Sequence, residues 1–74
     1  MKYIMFEDFS CSPLPLLFPN KIAHDEIRRQ IPYTTIISAG FVGLESGINC
    51  YGESRTLQKG ARPEEDAKII GNYF

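Results

Sequence analysis

The sequence predicts a small α+β domain in which two short helices pack on one antiparallel sheet, either twisted or partly curled into a barrel. Segments rich in β-branched and aromatic residues are short and separated by turn residues, and two helical patterns interrupt them. The 74 residues contain no linker, repeat or low-complexity segment, so residues 1–74 are predicted to form a single domain. The predicted element order is β-β-α-β-β-(β)-α, and the strand in brackets is the least defined.

The first two strands are predicted from an apolar run and from the spacing of prolines. The segment Tyr3–Phe6 is apolar throughout, which is typical of a strand covered on both faces. Three prolines within Ser10–Asn20 exclude a helix there, and the residues between them alternate onto one face at Leu14, Leu16 and Phe18. Because proline has no N–H to donate to a strand ladder, this second strand is predicted to lie at a sheet edge.

A short helix and the strongest strand follow. The segment His24–Gln30 carries acidic residues at its start and arginines near its end, which is the order that the helix dipole favours, and Pro32 closes it. The uncharged segment Tyr33–Val42 is rich in β-branched and aromatic residues and predicts a strand. Simple alternation places one set of its side chains on one face, Thr35, Ile37, Ala39 and Phe41, and a second set on the other, Thr34, Ile36, Ser38 and Val42.

The middle of the chain predicts a hairpin and a further strand. A turn is predicted at Glu45–Gly47, and Ile48–Tyr51 is predicted to return as the antiparallel partner of the long strand. The segment Gly52–Arg55 predicts another bend, and Thr56–Gln58 predicts a third antiparallel strand.

The last helix has a well-defined beginning. Pro63 occupies the first helical position, the carboxylates of Glu64, Glu65 and Asp66 fill the first turn, and Gly71 lies near the predicted end. We expect all three carboxylates to act through the helix dipole, so that replacing them by lysine costs about 1–2 kcal/mol of stability.

Composition limits the classes of function. A net charge of −1 does not favour the basic face that nucleic-acid binding needs. The apolar start is too short for a signal peptide, and no apolar run reaches the length of a membrane span, so we expect a cytoplasmic protein without membrane association. The two cysteines, Cys11 and Cys50, lie too far apart for a disulfide framework and are expected to be reduced thiols.

The residue groups that suggest chemistry are weak. His24, Asp25 and Glu26 are adjacent on a helix and do not face one another, so we interpret them as helix-capping residues rather than as a catalytic group. Cys11, His24 and Cys50 have the side chains of a zinc site, but nothing local brings them together.

Two short motifs resemble functional ones by chance. The run Gly52–Thr56 has the G-x-S pattern of a nucleophile elbow, but no histidine follows it in the chain. The run Gly40–Gly43 has the G-x-x-G pattern of KH domains but falls at the end of a strand rather than between helices. We therefore predict no enzymatic activity and no cofactor.

The function that the sequence favours is that of a protein-interaction or assembly module that self-associates, with a second copy or another protein as partner. Nine aromatic residues are many for so small a core, and the long uncharged strand lacks the charges that protect a strand edge. The predicted interface residues are Ile37, Phe41 and Tyr51. One alternative is binding of a nucleic acid or a small anion through the cations Arg28, Arg29, Arg55, Lys59 and Arg62, and another is a minimal metal-binding protein or enzyme.

Overall fold

The computed structural model describes residues 1–74 and contains six strands and two helices, which confirms the predicted fold class. In chain order, the elements are β1 (Lys2–Glu7), β2 (Pro13–Phe18), α1 (His24–Gln30), β3 (Thr35–Gly43), β4 (Asn49–Tyr51), β5 (Glu53–Ser54), β6 (Lys59–Gly60) and α2 (Pro63–Tyr73).

Four of the strands form the main sheet, in the order β2-β1-β3-β4. All neighbouring strands in it are antiparallel, and β5 pairs with β6 in a separate two-stranded sheet. The main sheet is open, so it does not close into a barrel. The first strand of the chain therefore lies inside the sheet, between β2 and β3.

The proline-rich strand β2 lies at the edge, as predicted. Pro13 and Pro15 have no N–H, and the carbonyl of Pro13 accepts a hydrogen bond of 3.1 Å from the hydroxyl of Tyr73 on α2. An edge with few free donors is a poor template for a further strand. Strand addition at β2 is therefore disfavoured.

The two helices cover opposite faces of the sheet. On the face covered by α2, here called the α2 face, the buried cluster is Tyr3, Met5, Val42, Cys50 and Ile70. On the α1 face, the buried cluster is Ile4, Phe6, Phe18 and Ala39, with Ile27 and Ile31 packed against it. Since alternate residues of β1 point to opposite faces, an apolar run there serves both clusters.

A β-bulge in β3 overturns the predicted alternation of that strand. The register with β1 shifts between Met5, which pairs with Ser38, and Phe6, which pairs with Ile36. Ile37 is the extra residue and packs against the α2 face, whereas Ala39 belongs to the α1 face. Placing Ile37 on the same face as Ala39 was therefore wrong, because one inserted residue changes the face of every side chain beyond it.

The predicted strand Thr56–Gln58 is also wrong, because these residues form a turn. The strands β5 and β6 flank it on either side, and β5 falls within the segment predicted as a bend. Ser54 Oγ accepts a hydrogen bond of 3.3 Å from the N–H of Leu57, and Gln58 has φ +56°. Such local side-chain bonds and left-handed residues favour a turn over a ladder.

The other hairpin and both helix starts are confirmed. The chain turns at Glu45–Gly47, where Gly47 has φ +94°, and Asn49–Tyr51 returns beside β3. Helix α1 spans His24–Gln30, and Pro63 begins α2. Gly71 lies near the end of α2, as predicted, and the helix continues to Tyr73, where the Phe74 N–H still bonds the Ile70 carbonyl and the Tyr73 hydroxyl donates to β2.

Candidate functional site

The most polar part of the interior lies under the start of α2. Asp66 is fully buried and accepts hydrogen bonds from the hydroxyl of Tyr3 at 2.5 Å and from the backbone N–H of Arg62 at 2.8 Å. The guanidinium of Arg62 forms the only ion pair of the structure with the same carboxylate, at 2.9 Å. Asp66 lies in the first turn of α2 as predicted, but unlike the exposed Glu64 and Glu65 it also joins the last helix to the central strand.

The spacing of α2 contains the signal that sequence reasoning missed. Asp66 lies four residues before the buried Ile70 and four after Arg62, so it belongs to the stripe that faces the sheet. A carboxylate on a buried stripe needs hydrogen-bond donors, and Tyr3 on the neighbouring strand supplies one.

The groups around Asp66 are suited to structure rather than to chemistry. Burial, followed by the hydrogen bond to Asp66, raises the pKa of Tyr3, and burial, followed by the negative charge of Asp66, raises the pKa of Cys50. Nucleophiles require the opposite shift. Ser38 Oγ is buried without a partner, and none of the surface grooves is lined by these residues. The cluster is enclosed, and the raised pKa values of Tyr3 and Cys50 keep the hydroxyl and the thiol protonated.

His24 is buried on the other face of the sheet. Its Nε2 lies 3.0 Å from the Gly40 carbonyl and donates to it, since a carbonyl can only accept. The ring packs edge-on against Phe18 and Phe41, with centroid distances of 5.4 and 5.9 Å. His24 therefore anchors α1 to the sheet and makes no capping hydrogen bond, which corrects the capping interpretation for this residue.

The burial of His24 predicts a pH dependence of stability. Burial lowers the pKa of His24 most, and the positive charge of Lys2 lowers it further, against the hydrogen bond to Gly40 that raises it. Below about pH 6.5 the histidine of the unfolded chain binds a proton, whereas His24 of the folded chain stays neutral to a lower pH. The free energy of unfolding is therefore highest above that pH and decreases as the pH falls below it. Urea midpoints measured from pH 7.5 to pH 5 are expected to fall for the wild type and to stay level for His24→Gln over the same range. An equal fall in both proteins would contradict this assignment.

The residues of the hypothetical zinc site lie apart. Cys11 is exposed in the turn between β1 and β2, Cys50 is buried on the α2 face, and His24 lies on the α1 face. No group of three histidine, cysteine or acidic residues could hold a metal ion. Ser54 of the G-x-S pattern is buried, and its hydroxyl serves the turn that follows, so it is no exposed nucleophile.

The three predicted interface residues do not form one surface. Tyr51 is 54 % exposed and stacks on Phe41 with a centroid distance of 5.8 Å, so these two form a small aromatic patch. Ile37 is half-buried and packs against the α2 face. The strand β3 also lies inside the sheet rather than at its edge, although β4 pairs only with Phe41–Gly43.

An apolar groove lies between the end of α2, the edge strand β2 and the loop after β3. Its volume is about 440 Å³, and its lining carries no charged side chain and includes Met1, Leu17, Leu44, Ile48, Ile70 and Phe74. Three of these side chains are exposed, Phe74 by 81 %, Leu44 by 50 % and Met1 by 44 %. Exposed apolar side chains gathered around an apolar groove form a candidate protein-binding surface.

A second groove has the opposite character and is here called the basic groove. It has a volume of about 390 Å³ and lies between the end of α1, the start of β3 and the β5–β6 turn. Arg28 and Lys59 are its only charged lining residues, and the others include Thr34, Thr35, Thr56 and Gln58.

The basic groove collects part of the predicted anion-binding set. Arg55 lines an adjoining groove of about 320 Å³ that shares Thr56 with the basic groove. Arg62 is instead paired with Asp66, and Arg29 lines no groove. The structure therefore places three of the five predicted cations around one turn and separates the other two.

Comparisons with protein-family models, with curated proteins and with solved structures found no match. Neither helix is long and apolar enough to cross a membrane. The functional conclusion therefore depends on the surfaces of the chain itself.

Proposed function

We propose that this chain is a protein-interaction module that self-associates, and that the apolar groove is its contact surface. The observation that carries the proposal is the combination of an uncharged apolar groove with three exposed apolar side chains on its rim, Met1, Leu44 and Phe74. Removing such side chains from water is the main driving force of association, at about 25 cal/mol per Å² of apolar surface.

The absence of charge favours a second copy as the occupant. In a two-fold symmetric contact each surface meets itself, so a charged residue near the axis meets a like charge. The lining of the apolar groove contains no ionisable side chain, and the α-ammonium of Met1 donates to the Val42 carbonyl, so no charged side chain meets its own copy there. A standard interface of about 800 Å² per partner is roughly one sixth of the 4736 Å² surface of the chain, so a dimer of ordinary size is feasible.

Phe74 supplies the anchor of the proposed dimer. It is the most exposed large apolar side chain, and it lies on the rim of a groove whose floor includes the fully buried Ile70. Large aromatic residues that enter a pocket of the partner account for much of the binding energy at interfaces. In the proposed dimer, Phe74 of each copy enters the apolar groove of the other.

The proposal predicts that substitutions on the groove rim abolish association. Light scattering coupled to size exclusion is expected to give a mass above the 8.4 kDa of one chain, which falls on dilution. The variants Phe74→Asp and Leu44→Asp are expected to remain folded and to elute as monomers, because a charge is then buried at the contact. The control is Phe9→Asp, since Phe9 is 80 % exposed but packs edge-on against Tyr33, away from the groove.

Two results would contradict this proposal. One is a wild-type mass of 8.4 kDa over about a hundredfold range of concentration. The other is dissociation by Tyr51→Asp with no effect of Phe74→Asp, which would assign the contact to the aromatic patch of Phe41 and Tyr51.

The two unpaired cysteines fit a reducing compartment, and we place the module in the cytoplasm without an enzymatic role.

A further inference from the structure

We infer that the basic groove binds the phosphate group of a small molecule, with Arg28 and Lys59 as its cationic ligands. This site shares no residue with the apolar groove, so it stands independently of self-association.

The charges of the groove are uncompensated. Acidic residues outnumber basic ones in the chain, nine to eight, yet both charged residues of this groove are basic. No carboxylate oxygen lies within 4.0 Å of a side-chain nitrogen of Arg28 or Lys59, and the only ion pair of the structure joins Arg62 to Asp66. Two like charges that line one groove repel each other, and a bound anion removes that repulsion.

The remaining groups suit a phosphate group. The guanidinium of Arg28 presents paired donors that match phosphate oxygens, and the ammonium of Lys59 adds a point charge. Thr34 and Thr35 bring two hydroxyl donors to the same groove, whereas the hydroxyl of Thr56 is hydrogen-bonded to Ser54 at 3.3 Å. The lining therefore combines two positive charges with neutral donors, which is the composition that an oxyanion needs.

Gln58, in the β5–β6 turn, also belongs to the lining of the basic groove. It lies at φ +56°, in the left-handed region that glycine adopts at little cost. A glutamine there carries a backbone cost and supplies an amide donor to the groove lining.

The lining also limits the ligand class. The apolar residues of the groove are Ile36 and Leu57, and no aromatic ring lines it. Single-stranded nucleic acids bind through rings on which successive bases stack, in addition to basic grooves. A volume of about 390 Å³ without a stacking ring fits a phosphate group on a small molecule better than a polynucleotide.

The test uses inorganic phosphate as the probe, in an NMR titration of the folded chain at constant ionic strength. Saturable shifts are expected at the amides of Thr34, Thr35 and Thr56–Lys59. Arg28→Gln and Lys59→Gln are each expected to weaken binding about tenfold, the effect of losing one charged hydrogen bond. The matched control is Arg29→Gln, which removes the same charge from the neighbouring residue of α1 and lines no groove.

Three results would overturn the inference. The first is a linear response to phosphate without saturation, and the second is an equal loss of binding in Arg29→Gln. The third is that a short single-stranded oligonucleotide binds more tightly than phosphate and that variants of Lys2 and Arg55 lose this binding to the same extent. This result would identify a polynucleotide surface. Arg28 and Lys59 are both exposed, so their variants are expected to fold. Thr35→Val is a further variant of the groove that leaves its charge unchanged.

Discussion

Replacing Asp66 by alanine is expected to lower the free energy of unfolding by about 3–4 kcal/mol, since it removes a fully buried carboxylate that accepts from two further donors besides the partly exposed Arg62 guanidinium. The substitution leaves the hydroxyl of Tyr3 and the backbone N–H of Arg62 without their acceptor. A domain of 74 residues is stable by about 4–11 kcal/mol, so this loss is at least about a third of the stability of the fold. The melting temperature is expected to fall by roughly 12–32 °C.

Thermal and urea unfolding of a matched series would test the role of Asp66. Glu65→Ala removes an exposed carboxylate from the same helical turn and is expected to cost less than about 1 kcal/mol, through the dipole alone. Tyr3→Phe keeps the ion pair with Arg62 and is expected to cost about 1.5–3 kcal/mol, the value of a hydrogen bond to a charged group. Equal losses of stability in Asp66→Ala and Glu65→Ala would show that Asp66 acts through the helix dipole alone.

Replacing Gly40 by alanine is expected to destabilise the chain by about 3 kcal/mol, at the upper end of the usual cost of overpacking. An added Cβ would lie 2.6 Å from the backbone oxygen of Tyr51 and 3.2 Å from Cβ of Ala61. Neither neighbour can rotate away, so the chain at Tyr51 would have to move away from β3. The Gly40 carbonyl also accepts from His24, so this movement would disturb the anchor of α1.

Gly43 provides the control within the same strand. A Cβ at this position meets nothing within 4 Å, so Gly43→Ala is expected to be neutral or stabilising by about 0.4–1 kcal/mol. Urea unfolding of Gly40→Ala and Gly43→Ala under the same conditions separates the two effects of adding a Cβ. One is the steric contact with Tyr51, and the other is the reduced flexibility of the backbone. A destabilisation of similar size in both would attribute the result to the backbone rather than to the contact with Tyr51.

Local signals determined how much of the fold could be predicted. Pro63 and the first-turn carboxylates predicted the start of α2, and the prolines of β2 predicted its edge position, because each acts on its own backbone. The bulge at Ile37 could not be predicted, because it depends on the register between β3 and a strand about thirty residues earlier. The turn at Thr56–Gln58 was predicted as a strand from its residue types, because the hydrogen bond from the Leu57 N–H to Ser54 Oγ cannot be read from the sequence.

The candidate sites were less predictable than the fold. Arg28 and Lys59 are separated by about thirty residues in the chain, and only the packing of α1 beside the β5–β6 turn brings them to one groove. The sequence indicated cations in general and could not indicate which of them meet. Asp66 was missed for a similar reason, since its partner Tyr3 lies at the other end of the sequence.

The hydrogen bond between Tyr3 and Asp66 also bears on how the chain folds. It spans 63 residues, and closing a loop of that length costs roughly 4 kcal/mol of chain entropy before any contact compensates for it. The strand that carries Tyr3 also pairs with β3, again across a long stretch of sequence. Domains dominated by such distant contacts fold slowly, in milliseconds to seconds, because little structure is stable until the distant segments meet. We therefore expect the central strand and the last helix to become ordered in the same cooperative step.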